Sequence, residues 1–201
     1  NNGNSLGYLS VPFRPNTEGY QPKMINFTYD PLTQQYYFTS WRDSPYDDEY
    51  STIINNQIYQ TSILICFNAT GQVLWTKTAN NTFSALVEGL LVDEQSNVYV
   101  SGRGTSSTVL PNGSNGPLNG NFGGYQFTNT LSRQSFVIKF NAQGNLLWGS
   151  NADGTAGDGL GGSGSESTRS MTINGDELAV GTGFYNNTWG AFGITGQPVG
   201  S

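Results

Sequence analysis

No histidine occurs anywhere in the 201 residues, and cysteine occurs once, as Cys66. The first absence removes the commonest general base, His-based triads and His metal sites together. The second excludes an intrachain disulfide and any thiolate metal cluster. Cys66 itself reads as a small apolar filler or interface residue, because a catalytic thiolate needs an activating base that this chain does not readily offer. Cations are scarce too: eight Lys and Arg stand against fourteen Asp and Glu, for a net charge of −6 and a pI near 4.4. Eight scattered positive charges cannot build the stripe that a phosphate backbone requires, so no nucleic acid partner is expected. Long apolar runs are also missing. The longest, at 62–67 and 85–92, fall far short of the roughly 18 residues of a spanning helix, so no membrane insertion is expected. The chain opens with neither Met nor a basic-then-apolar leader, and reads as a mature product or a piece of something longer.

Charged residues make up 11% of the chain, against about 25% in an average soluble domain. Gly, Asn, Ser and Thr fill that space. Aromatics at 13% argue against disorder, since disordered chains are depleted in them. Many turns, few helices and a neutral polar surface fit this composition. Five N-x-S/T sequons without a central Pro begin at Asn26, Asn68, Asn80, Asn112 and Asn186, and mark candidate glycan acceptors. Together with the low charge they predict a secreted protein, placed outside the cell or on its surface.

The main feature is a repeat. Ile65-Cys66-Phe67-Asn68-Ala69-Thr70-Gly71-Gln72-Val73-Leu74-Trp75 returns as Ile138-Lys139-Phe140-Asn141-Ala142-Gln143-Gly144-Asn145-Leu146-Leu147-Trp148, each residue 73 positions after its counterpart. Each copy is an apolar strand, a polar corner whose Gly supplies positive φ, and a second apolar strand ending in Trp. This is hairpin A. A second pattern, hairpin B, follows each copy at 90–102 and 171–181, and a third B-like segment lies upstream at 25–40. Two hairpins in series make a four-stranded antiparallel sheet. Its strands are apolar on both faces, with Ile63, Ile65 and Phe67 on one side and Leu64 and Cys66 on the other. A sheet covered on both sides predicts a β-propeller-like stack of blades. A two-layer β-sandwich is the alternative, with cleaner alternation.

The segment FVIKFNAQGNLLW, followed by GGSGSESTRSMTINGDELAVGTG, resembles the SBBP repeat, a β-propeller repeat of bacterial and other surface proteins. The likeness covers about 62–103 and 135–183, and more weakly 25–41. It implies a blade-type fold in a secreted or surface protein, and it brings no fixed catalytic set. Two departures stand out: a Gly/Asn/Ser-rich insertion at 104–134 between blades, and a copy number far below a seven-bladed ring. The expected organisation is a single all-β repeat domain over 1–201. It has a half blade at 22–41, blades at 62–103 and 135–183, and a half blade at 189–201 with Gly196 at its corner. An N-terminal B and a C-terminal A then stand as orphans, open to head-to-tail strand complementation between subunits.

Carboxylates are the remaining chemistry. Asp43, Asp47, Asp48 and Glu49 crowd one loop, and Asp153 and Asp158 punctuate another. Hard cations take six to eight oxygens from such loops, but neither spacing matches an established calcium loop, so a solvated acidic loop and a Gly-rich linker are the expected readings. Gly154 to Gly164 is no phosphate loop, since no Lys-Ser/Thr follows. Trp75 and Trp148, at equivalent repeat positions, read as core packing residues. Trp41, Tyr46, Tyr50 and Trp189 are the candidates for stacking on a sugar or a protein. No cofactor is implied. The sequence thus predicts a non-enzymatic structural or adhesive glycoprotein module that self-assembles or meets a neighbouring extracellular protein. A glycan- or protein-binding propeller is the alternative, and a carboxylate-dependent glycosidase a more distant one.

Overall fold

The computed structural model describes residues 23–41, 62–79, 83–106, 111, 119–128, 133–151 and 168–182, with strand pieces at 13–14, 52–54, 57–59, 188–189 and 194–195. Among these the chain is all-β and its sheets are antiparallel. Short strands β1 (Phe13–Arg14), β4 (Thr52–Ile54) and β5 (Gln57–Tyr59) form a small sheet of their own. The first large sheet takes β2 (Lys23–Asp30), β3 (Gln35–Trp41), β6 (Ile63–Phe67) and β7 (Val73–Thr78), in that spatial order. The second runs β8 (Phe83–Val92), β9 (Val98–Ser106), β12 (Arg133–Phe140) and β13 (Leu146–Asn151). Between β9 and β12 lies the hairpin β10 (Asn119–Phe122) and β11 (Tyr125–Thr128). A last B hairpin pairs β14 (Thr168–Asn174) with β15 (Glu177–Thr182), and β16 (Thr188–Trp189) pairs with β17 (Ile194–Thr195).

The hairpins fall where the sequence places them, but the sheets combine them in the opposite phase. Hairpin B precedes hairpin A in each large sheet, so the four-stranded units span 23–78 and 83–151, and not 62–103 and 135–183. Tyr37 of β3 pairs with Cys66 of β6, and Tyr99 of β9 with Lys139 of β12. The short link from β7 to β8 therefore passes between sheets, whereas the longer connections from β3 to β6 and from β9 to β12 lie inside them. The insertion expected at 104–134 between blades belongs within the second sheet. The N-terminal B hairpin is likewise no orphan, because β6 covers its inner edge. At the other end Thr188 and Trp189 pair with Thr195 and Ile194, while Gly196, the expected corner, lies outside the described residues.

The units match down to their irregularities. Each B hairpin carries a β-bulge at the same repeat position, Ile25, Glu88 and Arg169. Each A hairpin carries one at Leu74 and Leu147, because Cys66 and Lys139 face Trp75 and Trp148 while Phe67 and Phe140 face Val73 and Leu146. An inserted residue bends its strand and strengthens the twist; the inserted Leu74 and Leu147 are both exposed.

The two large sheets pack face to face. Tyr37, Leu64 and Cys66 of the first meet Ala85, Val87, Val98, Val100, Phe136, Ile138 and Phe140 of the second in one buried cluster. The β10–β11 hairpin adds Phe122 and Phe127 to that cluster and bridges to the first sheet at Ala79. Polar contacts fix the spacing: Asn26 Nδ2 donates to the Glu88 carbonyl at 2.9 Å, and the Ser62 hydroxyl donates to the Ala85 carbonyl. The opposite face of the second sheet presents Val137 to Met171, Leu178 and Val180 of the third B hairpin. In the first sheet the opposite face carries Ile63, Ile65 and Phe67 with Tyr36, Phe38 and Val73.

Both A corners adopt one geometry. The Asn141 side-chain oxygen accepts from the amides of Gln143 and Asn145, as Asn68 accepts from Thr70 and Gln72. Gly71 and Gly144 sit at φ +81° and +79°, the left-handed region their positions demanded. At Gly144 a second constraint applies, since an added Cβ would stand 2.8 Å from the Trp75 indole. At Gly175, φ +59°, an added Cβ would meet nothing within 4 Å. Gly144→Ala is therefore expected to lower stability by about 1–3 kcal/mol, and by more than Gly175→Ala. Thermal unfolding of the two variants checks this; equal losses would mean that the corner does not press on Trp75.

Candidate binding surface

Tyr46, Tyr50, Asp43, Asp47, Asp48, Asp153, Asp158, Asn80, Asn112 and Asn186 lie outside the described residues. Trp41 ends β3 and Trp189 ends β16, with only their backbone placed. Asn26 stands between the two large sheets with its amide committed to Glu88, where an attached glycan would push them apart. Asn68 opens an exposed corner, and its Nδ2 donates to the Gln72 side-chain oxygen at 3.2 Å. Cys66 is fully buried, and burial pushes its thiol up to about 12, which leaves it protonated and unreactive at neutral pH.

The two repeat tryptophans have different surroundings. Trp75 lies under the corner of the second sheet, and its indole N–H donates to the Ala142 carbonyl at 2.9 Å. Trp148, expected in the core, is 38% exposed. The reason is positional. Trp75 is capped by the next unit's A corner, while no A corner stands over Trp148 among the described residues.

Around Trp148 the second sheet builds a polar and aromatic cluster that sequence reading missed. Tyr99 meets the Trp148 indole edge-on, with ring centroids 6.2 Å apart. Lys139 Nζ lies 4.7 Å from the Tyr99 ring centroid and 3.3 Å from Asp93 Oδ2. Asp93 also accepts from the Tyr99 hydroxyl at 3.0 Å and from the Gln95 and Asn97 amides. Burial pushes the Asp93 carboxyl upward, but hydrogen bonds from Asn97, Tyr99 and Lys139 outweigh it and hold the group below its ordinary 3.8. The counterpart in the first sheet, Asp30, accepts from Leu32 and Thr33. Burial opposes its charge too, and hydrogen bonds led by Ser96, from the turn of the second sheet, bring it below the ordinary value. Each acidic residue thus anchors its B turn.

A folded-state value below the unfolded one makes Asp93 stabilising above the ordinary carboxylate range. That contribution is lost as pH falls through and below 3.8. Asp93→Asn leaves the Lys139 charge without its partner and is expected to cost about 3 kcal/mol at pH 7. Urea midpoints of both proteins at pH 7 and pH 3 check this. The gap between them should narrow at pH 3, and a pH-independent gap would contradict the charge pairing.

A second exposed patch lies on the first sheet, where Phe27 and Tyr29 pack against Tyr36 with ring centroids 6.0 and 4.7 Å away. By bulge position these two residues correspond to Leu90 and Val92, which in the second sheet pack against the inter-sheet core. No metal-holding group of His, Cys, Asp or Glu occurs among the described residues. Comparison with protein-family models, curated proteins and solved structures found no match for this chain.

Proposed function

We propose that this chain is a non-enzymatic structural or adhesive module of the cell exterior, built as a propeller-like stack of B–A sheets. One observation carries the reading: successive sheets repeat the same strand order and bulges and cover one another face to face. Such repetition makes a scaffold whose binding capacity lies on its open faces. The SBBP resemblance and the low charge support placement outside the cell. The missing histidine and the buried, protonated Cys66 support a role without catalysis.

Glycan attachment is proposed at Asn68, whose exposed corner leaves space for a sugar, and at Asn80, Asn112 and Asn186; Asn26 drops out of the set. Intact mass of native material should exceed the bare chain, and Asn68→Gln should remove one glycan increment. A native mass equal to the polypeptide would remove the case for secretion. Electron microscopy of the purified protein without ligand tests the scaffold itself. Ordered assemblies are expected, and a monodisperse monomer at high concentration would contradict them.

A further inference from the structure

We propose that the Trp148 face of the second sheet, together with the outer edge of β15, is a docking site for a β-hairpin of the A type carried by a second polypeptide. The chain already contains this interface once. In the first sheet Tyr37, Cys66 and Trp75 form a row across β3, β6 and β7. The second sheet covers that row, and its Asn141-Ala142-Gln143-Gly144 corner sits on the Trp75 indole. The same row in the second sheet is Tyr99, Lys139 and Trp148.

The third B hairpin covers Val137, on the same face, in the manner of the first interface. Its Met171, Leu178 and Val180 take the repeat positions of Leu90, Val98 and Val100, and they pack on Val137 as Val98 and Val100 pack with Leu64. An A hairpin is what the arrangement lacks among the described residues. β9 gives its second edge to β12, whereas among the described residues β15 pairs only with β14. Trp148 is left 38% exposed.

Both features call for one occupant. A strand hydrogen-bonded to β15 as β12 is to β9 would carry its corner onto Trp148, just as the A corner of the second sheet reaches Trp75. Main-chain pairing along a free edge gives affinity, and the side-chain shelf gives specificity. The occupant is chemically defined: an aliphatic strand, a corner of the form Asn-x-x-Gly, and a returning strand. Glycine is required at the fourth corner position because a Cβ there would collide with the indole, as at Gly144. The corner also offers a carbonyl to the indole N–H, as Ala142 does to Trp75.

The inference extends the scaffold reading, and its test is separate, because hairpin binding can fail while assembly and glycosylation are both observed. The probe is a synthetic hairpin with the sequence of residues 135–151, tethered at its ends and fluorescently labelled, titrated into the 201-residue protein. Saturable binding is expected, with loss of at least about tenfold in affinity for Trp148→Ala and for a probe carrying Gly144→Val. Hydrogen exchange in the unaltered protein should slow at residues 177–182 when the probe is bound, a readout independent of any variant. Absence of binding, affinity indifferent to both substitutions, or protection confined to other strands would each overturn the proposal.

Discussion

Replacing Phe136 with Ala should cost about 3–5 kcal/mol, the usual loss for emptying a buried phenylalanine site. Phe136 is fully buried at the centre of the cluster between the two large sheets. Its ring lies 5.3 Å from Phe127 and 6.3 Å from Phe122, both supplied by the β10–β11 hairpin. The vacancy therefore weakens two contacts at once: sheet against sheet, and inserted hairpin against both. Denaturant unfolding gives the size of the loss, and hydrogen exchange at 119–128 should accelerate more than exchange in β14–β15. A loss below 1 kcal/mol, or unchanged exchange in β10–β11, would show that this hairpin is not part of the core.

Trp75→Ala and Trp148→Ala should separate sharply, although the residues are equivalent in the repeat. Trp75 packs against the core cluster, contacts Tyr37 with centroids 5.8 Å apart, and donates to Ala142. Removing it should cost about 3 kcal/mol, at the lower end for large aromatic truncations because the ring is only partly buried. It also leaves the Ala142 carbonyl without its indole donor, which adds to the penalty. Trp148 has no such cover, and its removal should change stability by less than about 1 kcal/mol, as for surface substitutions generally. Thermal unfolding of the pair decides the matter. Similar losses would mean that both indoles are capped alike in solution.

Much of the architecture was legible because hairpins are local. The A corners announced themselves through Asn68, Gly71, Asn141 and Gly144, and the structure gives those glycines positive φ. Which hairpin joins which was not legible, because β3–β6 and β9–β12 pairing is set across long connections that carry no periodic signal. A alternating with B fits either phase. The A-hairpin bulges did leave a trace: Val73-Leu74-Trp75 and Leu146-Leu147-Trp148 break the alternation that a regular strand would keep. Phe122 and Phe127 lie in the Gly/Asn/Ser-rich segment whose composition marks an insertion and gives no sign of a core hairpin. At the binding surface, the Lys139–Asp93 pair joins hairpin A to hairpin B, so no short window of sequence contains both. The equivalence of Trp75 and Trp148 concealed their difference, since identity within a repeat says nothing about whether a following unit is there to cover it.

The long connections inside each sheet have a consequence in time. Synthesis proceeds at about 5–20 residues per second, so the N-terminal hairpin, complete once β3 ends at Trp41, waits roughly one to a few seconds before β6 leaves the ribosome. The hairpin itself forms in microseconds. For nearly all of that interval its inner edge, lined by Tyr37 and Phe38, is open to any other nascent strand, and the second sheet repeats the delay between β9 and β12. Slowing translation across 42–62 or 107–132 should therefore reduce the soluble yield of a protein whose finished stability is unaltered.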